Sequence, residues 1–288
     1  MKHPKQVPHD IYRMLVSKNI PAEDQLEDIA DALAAEVREA FMNAMGPEQV
    51  RKGRLRLSSV GKPDRQIKMA YDGIEGEKLQ GHTHVKFLFG HLTEALILAL
   101  TKAAGHTVED QQKACMVEGV SGSMDGRVDG VLMDVKSASS YGFKKFKEGT
   151  LPHDDPFGYI GQIKAYAESE GDREFGWLAF DKQNGHICWL GYDLDNLTDD
   201  LKPLLDYDIK ERVRAIKKMV GAPEDPELCH VPVADGKSGN MKLPMGCSYC
   251  QFKHQCYPKL RTFLYGSGPR YLTEVVNVPR VPEVPYDF

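Results

Sequence analysis

Residues 122–137 read Gly-Ser-Met-Asp-Gly-Arg-Val-Asp-Gly-Val-Leu-Met-Asp-Val-Lys-Ser, and the fold follows from how they pair. Asp129-Gly130 stands between two alternating runs, Val117 to Val128 and Val131 to Ser137. Asp-Gly suits the two positive-φ positions of a two-residue turn, so the runs are expected to form a β-hairpin. With that turn Val128 faces Val131, Arg127 faces Leu132, Gly126 faces Met133 and Asp125 faces Asp134. Side chains alternate between faces along a strand. Met124, Val128, Val131, Met133 and Val135 would then make an apolar face, and Ser123, Asp125, Arg127, Asp134 and Lys136 a polar one.

The polar face is where chemistry is expected. Asp125 and Asp134, directly opposite, would have Cβ atoms roughly 5 Å apart. Carboxylates that close repel by on the order of 3 kcal/mol at an effective dielectric of 20. A divalent cation between them turns the repulsion into coordination. Lys136 lies on the same face, where its ammonium can stabilise developing negative charge.

On the N-terminal side, Leu26, Ile29, Ala30, Leu33, Val37, Ala40 and Phe41 recur at helical spacing, predicting a helix over residues 22–44 that ends at Gly46-Pro47. Residues 51–68 hold Arg51, Lys52, Arg54, Arg56, Lys62, Arg65 and Lys68 against Asp64 alone, which suits a solvated surface or a phosphate-contacting wall. A largely apolar helix from Val85 to Ala104 is expected to be buried. After the hairpin, Ser140 to Lys147 mixes Tyr141, Phe143 and Phe146 with Lys144, Lys145 and Lys147. Interleaved rings and cations hold single strands, and equally make an amphipathic surface segment. A helix from about Asp155-Pro156, a second hairpin around Lys182 to Gly185, and a long helix from Asp199 to Val220 follow. The last twenty residues, with Pro269, Pro279, Pro282 and Pro285, are expected to lie extended over the surface. This order predicts an α/β core with a mixed central β-sheet flanked by helices.

Composition bounds the function. The 288 residues are 41% hydrophobic and 27% charged, which excludes a disordered tail, a fibre and a disulfide miniprotein. A net charge of −5 excludes coating DNA by bulk charge, so any nucleic-acid contact needs a local basic surface. The opening MKHPKQVPHD has no apolar leader, and the run from Ala95 to Leu100 is too short for a bilayer. A reducing cytoplasm without membrane partners is therefore expected. In it, Cys247-Ser-Tyr-Cys250 and Cys256 read as a metal corner for zinc or an iron–sulfur cluster. Cys115 and Cys188 fall in or beside strands and read as core residues.

Gly122-x-x-Asp125 followed by Asp134-Val-Lys136-Ser resembles the active-site hairpin of the PD-(D/E)XK nuclease superfamily, which implies a restriction-endonuclease-like core. Three further stretches resemble its RecB-like exonuclease branch, which includes CRISPR-associated and bacteriophage nucleases. Gly90-His91-Leu-Thr-Glu94 is similar to that branch's G-x-x-x-(H/E), implying Glu94 as a metal-side ligand; His91, one turn earlier, would face the same site. Gln162-Ile-Lys-Ala-Tyr166 is similar to its Q-x-x-x-Y helix, implying that both residues position the DNA backbone. The cysteine triplet resembles that of the branch's iron–sulfur members, where a distant cysteine, commonly in a C-P-R-Q-like segment, completes a 4Fe–4S cluster. The comparable stretch here, Gly61-Lys-Pro-Asp-Arg-Gln66, has no cysteine. Cys229, 18 residues before Cys247, is the expected replacement. His230 and His254 nearby keep zinc open.

The resemblance spans about residues 60–260 and implies a Mg2+- or Mn2+-dependent DNA exonuclease acting on ends or single strands, in recombination, repair or replication, phage-encoded relatives included. Asp125, Asp134 and Glu94, with the Val135 carbonyl and His91, would hold the metal. Lys136 would stabilise the pentavalent oxyanion, with Gln162 and Tyr166 beside it. Cys229, Cys247, Cys250 and Cys256 would bind a structural cluster. Residues 1–80 are expected to form a helical, basic region, 81–220 the nuclease core, and 221–288 the cysteine segment and tail. DNA is the expected partner, with recombination or replication proteins beside it, in a bacterial cytoplasm or that of an infected host. An endonuclease with the same site, a DNA-end-binding or recombination-partner module, and a metal-stapled structural protein are the alternatives.

Overall fold

A mixed five-stranded sheet runs through the computed structural model of the chain, in which residues 2–47, 52–78 and 81–285 are described. Arg51, the first of the basic run, lies outside the described residues. The strands from the first half are β1 (Val108–Glu109), β2 (Ala114–Val117), β3 (Val120–Ser123), β4 (Gly126–Val128) and β5 (Val131–Ala138). Two more follow, β6 (Glu174–Asp181) and β7 (Ile187–Asp193). The central sheet has the order β1-β4-β5-β6-β7, with β5 and β6 parallel and the other neighbours antiparallel.

The hairpin has the expected register, Val128 on Val131, Arg127 on Leu132 and Gly126 on Met133. Asp129 and Gly130 take φ of 51° and 87°, as the tight turn requires. Upstream of Gly126 the expectation fails. Gly126 has φ 151°, a conformation L side chains rarely adopt, and the ladder ends there. The expected single strand from Val117 is instead divided. β2 and β3 form their own two-stranded sheet, closed by Glu118 and Gly119 at φ 49° and 77°. Met124 consequently leaves the face of Val128 and packs with Leu132 on the other side of the sheet.

Helices cover both faces: α1 (Val7–Ser17), α2 (Glu23–Met45), α3 (Asp64–Asp72), α4 (Gly81–Ala103), α5 (Ser140–Lys147), α6 (Tyr159–Glu170), α7 (Lys202–Leu205) and α8 (Ile209–Val220). On one face Leu132, Trp177 and Ala179 meet Ile163 and Tyr166 of α6 and Val213 and Ile216 of α8. On the other, Val128, Met133, Val135 and Leu178 meet Val7 and Ile11 of α1 and Ile97 and Leu98 of α4. Burying these faces is the main stabilisation, at about 25 cal/mol per Å² of apolar surface.

Several expectations are corrected. α4 is buried only in its C-terminal half; Val85, Phe87 and Phe89 are exposed. Phe143 and Phe146 of α5 lie in the core, leaving Tyr141 alone of the three rings exposed. α6 starts at Tyr159 rather than near Asp155, because the Asp155 carboxylate accepts from the N–H groups of Gly158 (3.0 Å) and Ile160 (2.8 Å) and holds a turn ahead of the helix. The long helix from Asp199 is broken: Asp208 caps α8 by accepting from Lys210 N (2.8 Å) and Glu211 N (3.1 Å). Two cations of the basic run face inward and cannot serve a phosphate wall. Lys68 is buried on Asp72 (2.9 Å), and Arg65 donates to the Pro226 carbonyl (2.6 Å).

The C-terminal region is not a simple extended tail. It contains β8 (Val233–Ala234), β9 (Met241–Lys242), the short helices α9 (Met245–Ser248) and α10 (Lys253–Cys256), β10 (Arg261–Tyr265), β11 (Gly268–Glu274) and β12 (Glu283–Val284). Its strands form a second sheet in the order β12-β10-β11-β9-β8, with Pro269 inside a hairpin strand. Among the described residues no helix is long and apolar enough to cross a membrane.

Candidate active site

β5 sets Asp134 and Lys136 on the sheet face that carries Leu132, toward α6. Asp134 is 1% exposed, and its Oδ2 lies 2.7 Å from the Lys136 ammonium. Beyond that ion contact neither carboxylate oxygen has a hydrogen-bond donor. Lys136 donates to Gln162 Oε1 at 3.3 Å, and Gln162 Nε2 donates to the Tyr166 hydroxyl at 3.2 Å. The i, i+4 pair on α6 thus meets the lysine of β5. Asp125 is not in the ladder opposite Asp134. It crosses with its side chain, Oδ2 accepting the Val135 N–H at 2.8 Å. Glu94 comes from α4, on the other layer, and accepts from Gln112 Nε2 at 2.8 Å. Gly90, one turn earlier, lies beside β5, where a Cβ would make ordinary contact with Ser137 Oγ at 3.8 Å. His91 is exposed on α4.

Electrostatics tie these groups together. Burial, then Asp134 and Glu94, push the Asp125 carboxyl well above the ordinary carboxylate range. Burial also raises Asp134, opposed by Lys136. Glu94 is pushed up to about 7, by burial first and then by Asp134. Burial pulls Lys136 down, but Asp134 and Asp125 outweigh it and keep the ammonium charged. Asp125 and Glu94 are therefore held in the field of Asp134, and all three in that of one lysine. Desolvation and like charge are the two causes that accompany functional carboxyl groups.

No three His, Cys, Asp or Glu side chains among the described residues stand close enough together to hold a metal ion. Each carboxylate is turned to a partner in the protein: Asp125 to Val135 N–H, Asp134 to Lys136, Glu94 to Gln112. The donor chemistry nevertheless fits a hard divalent cation. It is all oxygen, it is anionic, and the buried Asp134 oxygens have no donor among the described residues besides the Lys136 ammonium.

The four C-terminal cysteines, all free thiols, lie near enough to act on one another electrostatically but, among the described residues, do not close into a metal-ligating group. Cys247 is pushed up to about 12 by burial and by Cys250, Cys229 and Cys256 in turn. Cys229 is raised by burial too, although the backbone amides of Gln66 and Arg65 bond its sulfur. Those amides belong to the first turn of α3, in the stretch Gly61–Gln66. Cys115 is buried in β2 and Cys188 half-buried in β7.

Two site neighbours escaped the sequence. Tyr159 has its ring centroid 4.8 Å from Lys136 Nζ, and Gln112 orients Glu94. Tyr159, Gln162 and Tyr166 recur at i, i+3, i+7, a stripe that could have flagged the tyrosine. A cavity of about 450 Å³ lies at the opposite end of α6, beside Lys164, Glu168 and Tyr207, away from the carboxylates. Its position does not bear on their chemistry.

No family model and no curated protein matches the chain. Among solved structures it is similar to an alkaline exonuclease (LHK-Exo) from Laribacter hongkongensis, at 15% identity over 64% of this chain and 94% of that one, with a TM-score of 0.38. It is similar to a phage-related exonuclease from Haemophilus somnus 129PT, at 15% identity over 58% of this chain and 93% of that one, TM-score 0.40. SSO0001 matches at 11% identity over 77% of this chain and 93% of that one, also at 0.40. Identities and scores this low carry no residue-to-residue correspondence.

Proposed function

We propose that the chain is a divalent-metal-dependent deoxyribonuclease, an exonuclease acting on DNA ends or single strands. One observation carries the reading: Asp134, 1% exposed and 2.7 Å from the half-buried Lys136 ammonium, raises both Asp125 and Glu94, which reach it from two other segments. A structural hairpin gains nothing from that concentration of like charge. Mg2+ or Mn2+ suits the carboxylates, with the Val135 carbonyl and His91 as further ligands; a divalent ion there supplies an activated water and neutralises phosphate charge during in-line attack. Lys136, kept charged by Asp134, meets the negative charge that builds on the phosphate. Gln162 orients that ammonium and Tyr166 holds Gln162.

Cys229, Cys247, Cys250 and Cys256 hold a structural iron–sulfur cluster, with zinc as the alternative, and fasten the C-terminal region to the Gly61–Gln66 stretch. Their mutual influence on one another's thiols supports this reading. Processing of ends in recombination, repair or replication, beside the proteins of those reactions, is the role the motif resemblance implies. Labelled single-stranded and duplex DNA, incubated with the protein and Mg2+ or Mn2+, tests the nuclease. Lys136→Ala is expected to abolish cleavage while the variant, though less stable, still folds and binds DNA. Cleavage that survives Lys136→Ala, or excess EDTA, would overturn the mechanism.

A further inference from the structure

An aromatic line leads away from Lys136. The Tyr159 ring lies 4.8 Å from the lysine ammonium, Phe157 stacks against Tyr159 at 5.6 Å with planes tilted by 33°, and Tyr249 meets Phe157 at 5.6 Å, edge to face. Exposure rises along the line, from half-buried Tyr159 through Phe157 at 39% to Tyr249 at 71%. Tyr249 stands between Cys247 and Cys250, so the C-terminal region supplies its outer end. The inner rings are preset. Asp155, beneath the loop, ties the N–H groups of Gly158 and Ile160. Gly158, between the two rings, lies so close to Gly61 that a Cβ would fall 2.3 Å from the Gly61 carbonyl carbon. The exposed rings of Phe157 and Tyr249 offer π-faces that any base can use, and Tyr159, set against Phe146 at 6.1 Å and under Lys136, ties them to the catalytic cation.

We infer that Tyr159, Phe157 and Tyr249 form a stacking track that guides a single DNA strand from the cysteine segment to Lys136. This rests on the nuclease reading of the site and adds to it a substrate form, an unpaired strand, and a role for the C-terminal region. A protein partner would need no line of rings ending on the catalytic lysine; a strand whose phosphate must reach that lysine does.

The test is binding of a fluorescein-labelled oligothymidylate of about 12 nucleotides, within the range single-strand sites cover, measured by anisotropy without added divalent metal. Tyr249→Ala is expected to weaken binding by about tenfold, the size of one lost base–ring stack. Tyr249→Phe keeps the ring and should stay within about twofold of the parent, since the stack is unchanged. The slope of log Kd against log salt should not change, because no phosphate contact is removed. With an abasic strand of the same length, parent and Tyr249→Ala should bind alike. Equal binding of parent and Tyr249→Ala to oligothymidylate would overturn the track, and so would an equal loss on the abasic strand. Cleavage by the parent in Mg2+, run on the same preparation, reports the nuclease reading separately. A parent that binds through Tyr249 but never cuts refutes the nuclease reading and leaves the track standing.

Discussion

Glu94→Gln should make the metal-free protein more stable at alkaline pH while removing its activity. Glu94 is shifted from 4.5 to about 7, by burial first and then by the Asp134 charge. One unit corresponds to about 1.4 kcal/mol, so ionising this carboxyl in the folded state costs about 3 kcal/mol. Below its unfolded pKa both states hold the proton and the side chain has no pH-dependent effect. As pH rises from 4.5 toward 7 the unfolded chain loses the proton and the folded one keeps it, so stability falls; above 7 the full penalty applies. The amide of the variant keeps the contact from Gln112 and never ionises. Urea unfolding in EDTA at about pH 5 and pH 8 is the assay. Parent and variant should be nearly equal at the lower pH and differ by about 3 kcal/mol at the higher, with the variant the more stable. Identical pH dependence would refute the raised pKa of Glu94.

Lys136→Ala removes the cation that pairs with a carboxylate that is 1% exposed, and in EDTA near pH 8 it should destabilise the fold by about 3–5 kcal/mol. The loss should shrink at lower pH, where Asp134 with its raised pKa takes up a proton; equal unfolding midpoints for parent and variant at pH 8 would contradict the pairing. Gly158→Ala meets both a φ of 77° and the Gly61 backbone, so thermal unfolding should report a loss of about 2 kcal/mol or more, and an unchanged melt would show that the contact yields. Cys229→Ser should lower the iron or zinc content of the purified protein, measured by elemental analysis. Unchanged content would remove Cys229 from the ligand set.

Features encoded in local spacing were legible. Asp129-Gly130 set the hairpin register, Asp134 and Lys136 share a face two residues apart, and Gln162 and Tyr166 meet as an i, i+4 pair. Asp125 was legible as a residue but not in its mode of contact. Gly126 ends the ladder, so the carboxylate reaches β5 through a backbone amide rather than a cross-strand pairing. Phe143 and Phe146 show why periodicity reveals an apolar face but not what covers it; here the cover is the core around Trp177. α1 escaped because its buried stripe, Val7, Ile11 and Met14, is three residues in a polar segment. The second sheet escaped because pairs such as Thr262 with Val284 join short strands across loops that carry no strand periodicity.

The docking of α1 sets a delay in biosynthesis. The Tyr12 hydroxyl accepts the N–H of Ile187, His3 bonds Glu174 at 2.8 Å, and the buried His106 joins Asp10 of α1 to Asp129 of the hairpin turn. Tyr12 and Ile187 are 175 residues apart. At ribosomal speeds that separation is about 9–35 s, during which Val7 and Ile11 can reach α4 and the earlier strands but Tyr12 lacks its partner on β7. Until β7 emerges the docking of α1 is incomplete, and α8 has yet to cover the opposite face, so this is the interval in which a holdase chaperone has the most surface to bind.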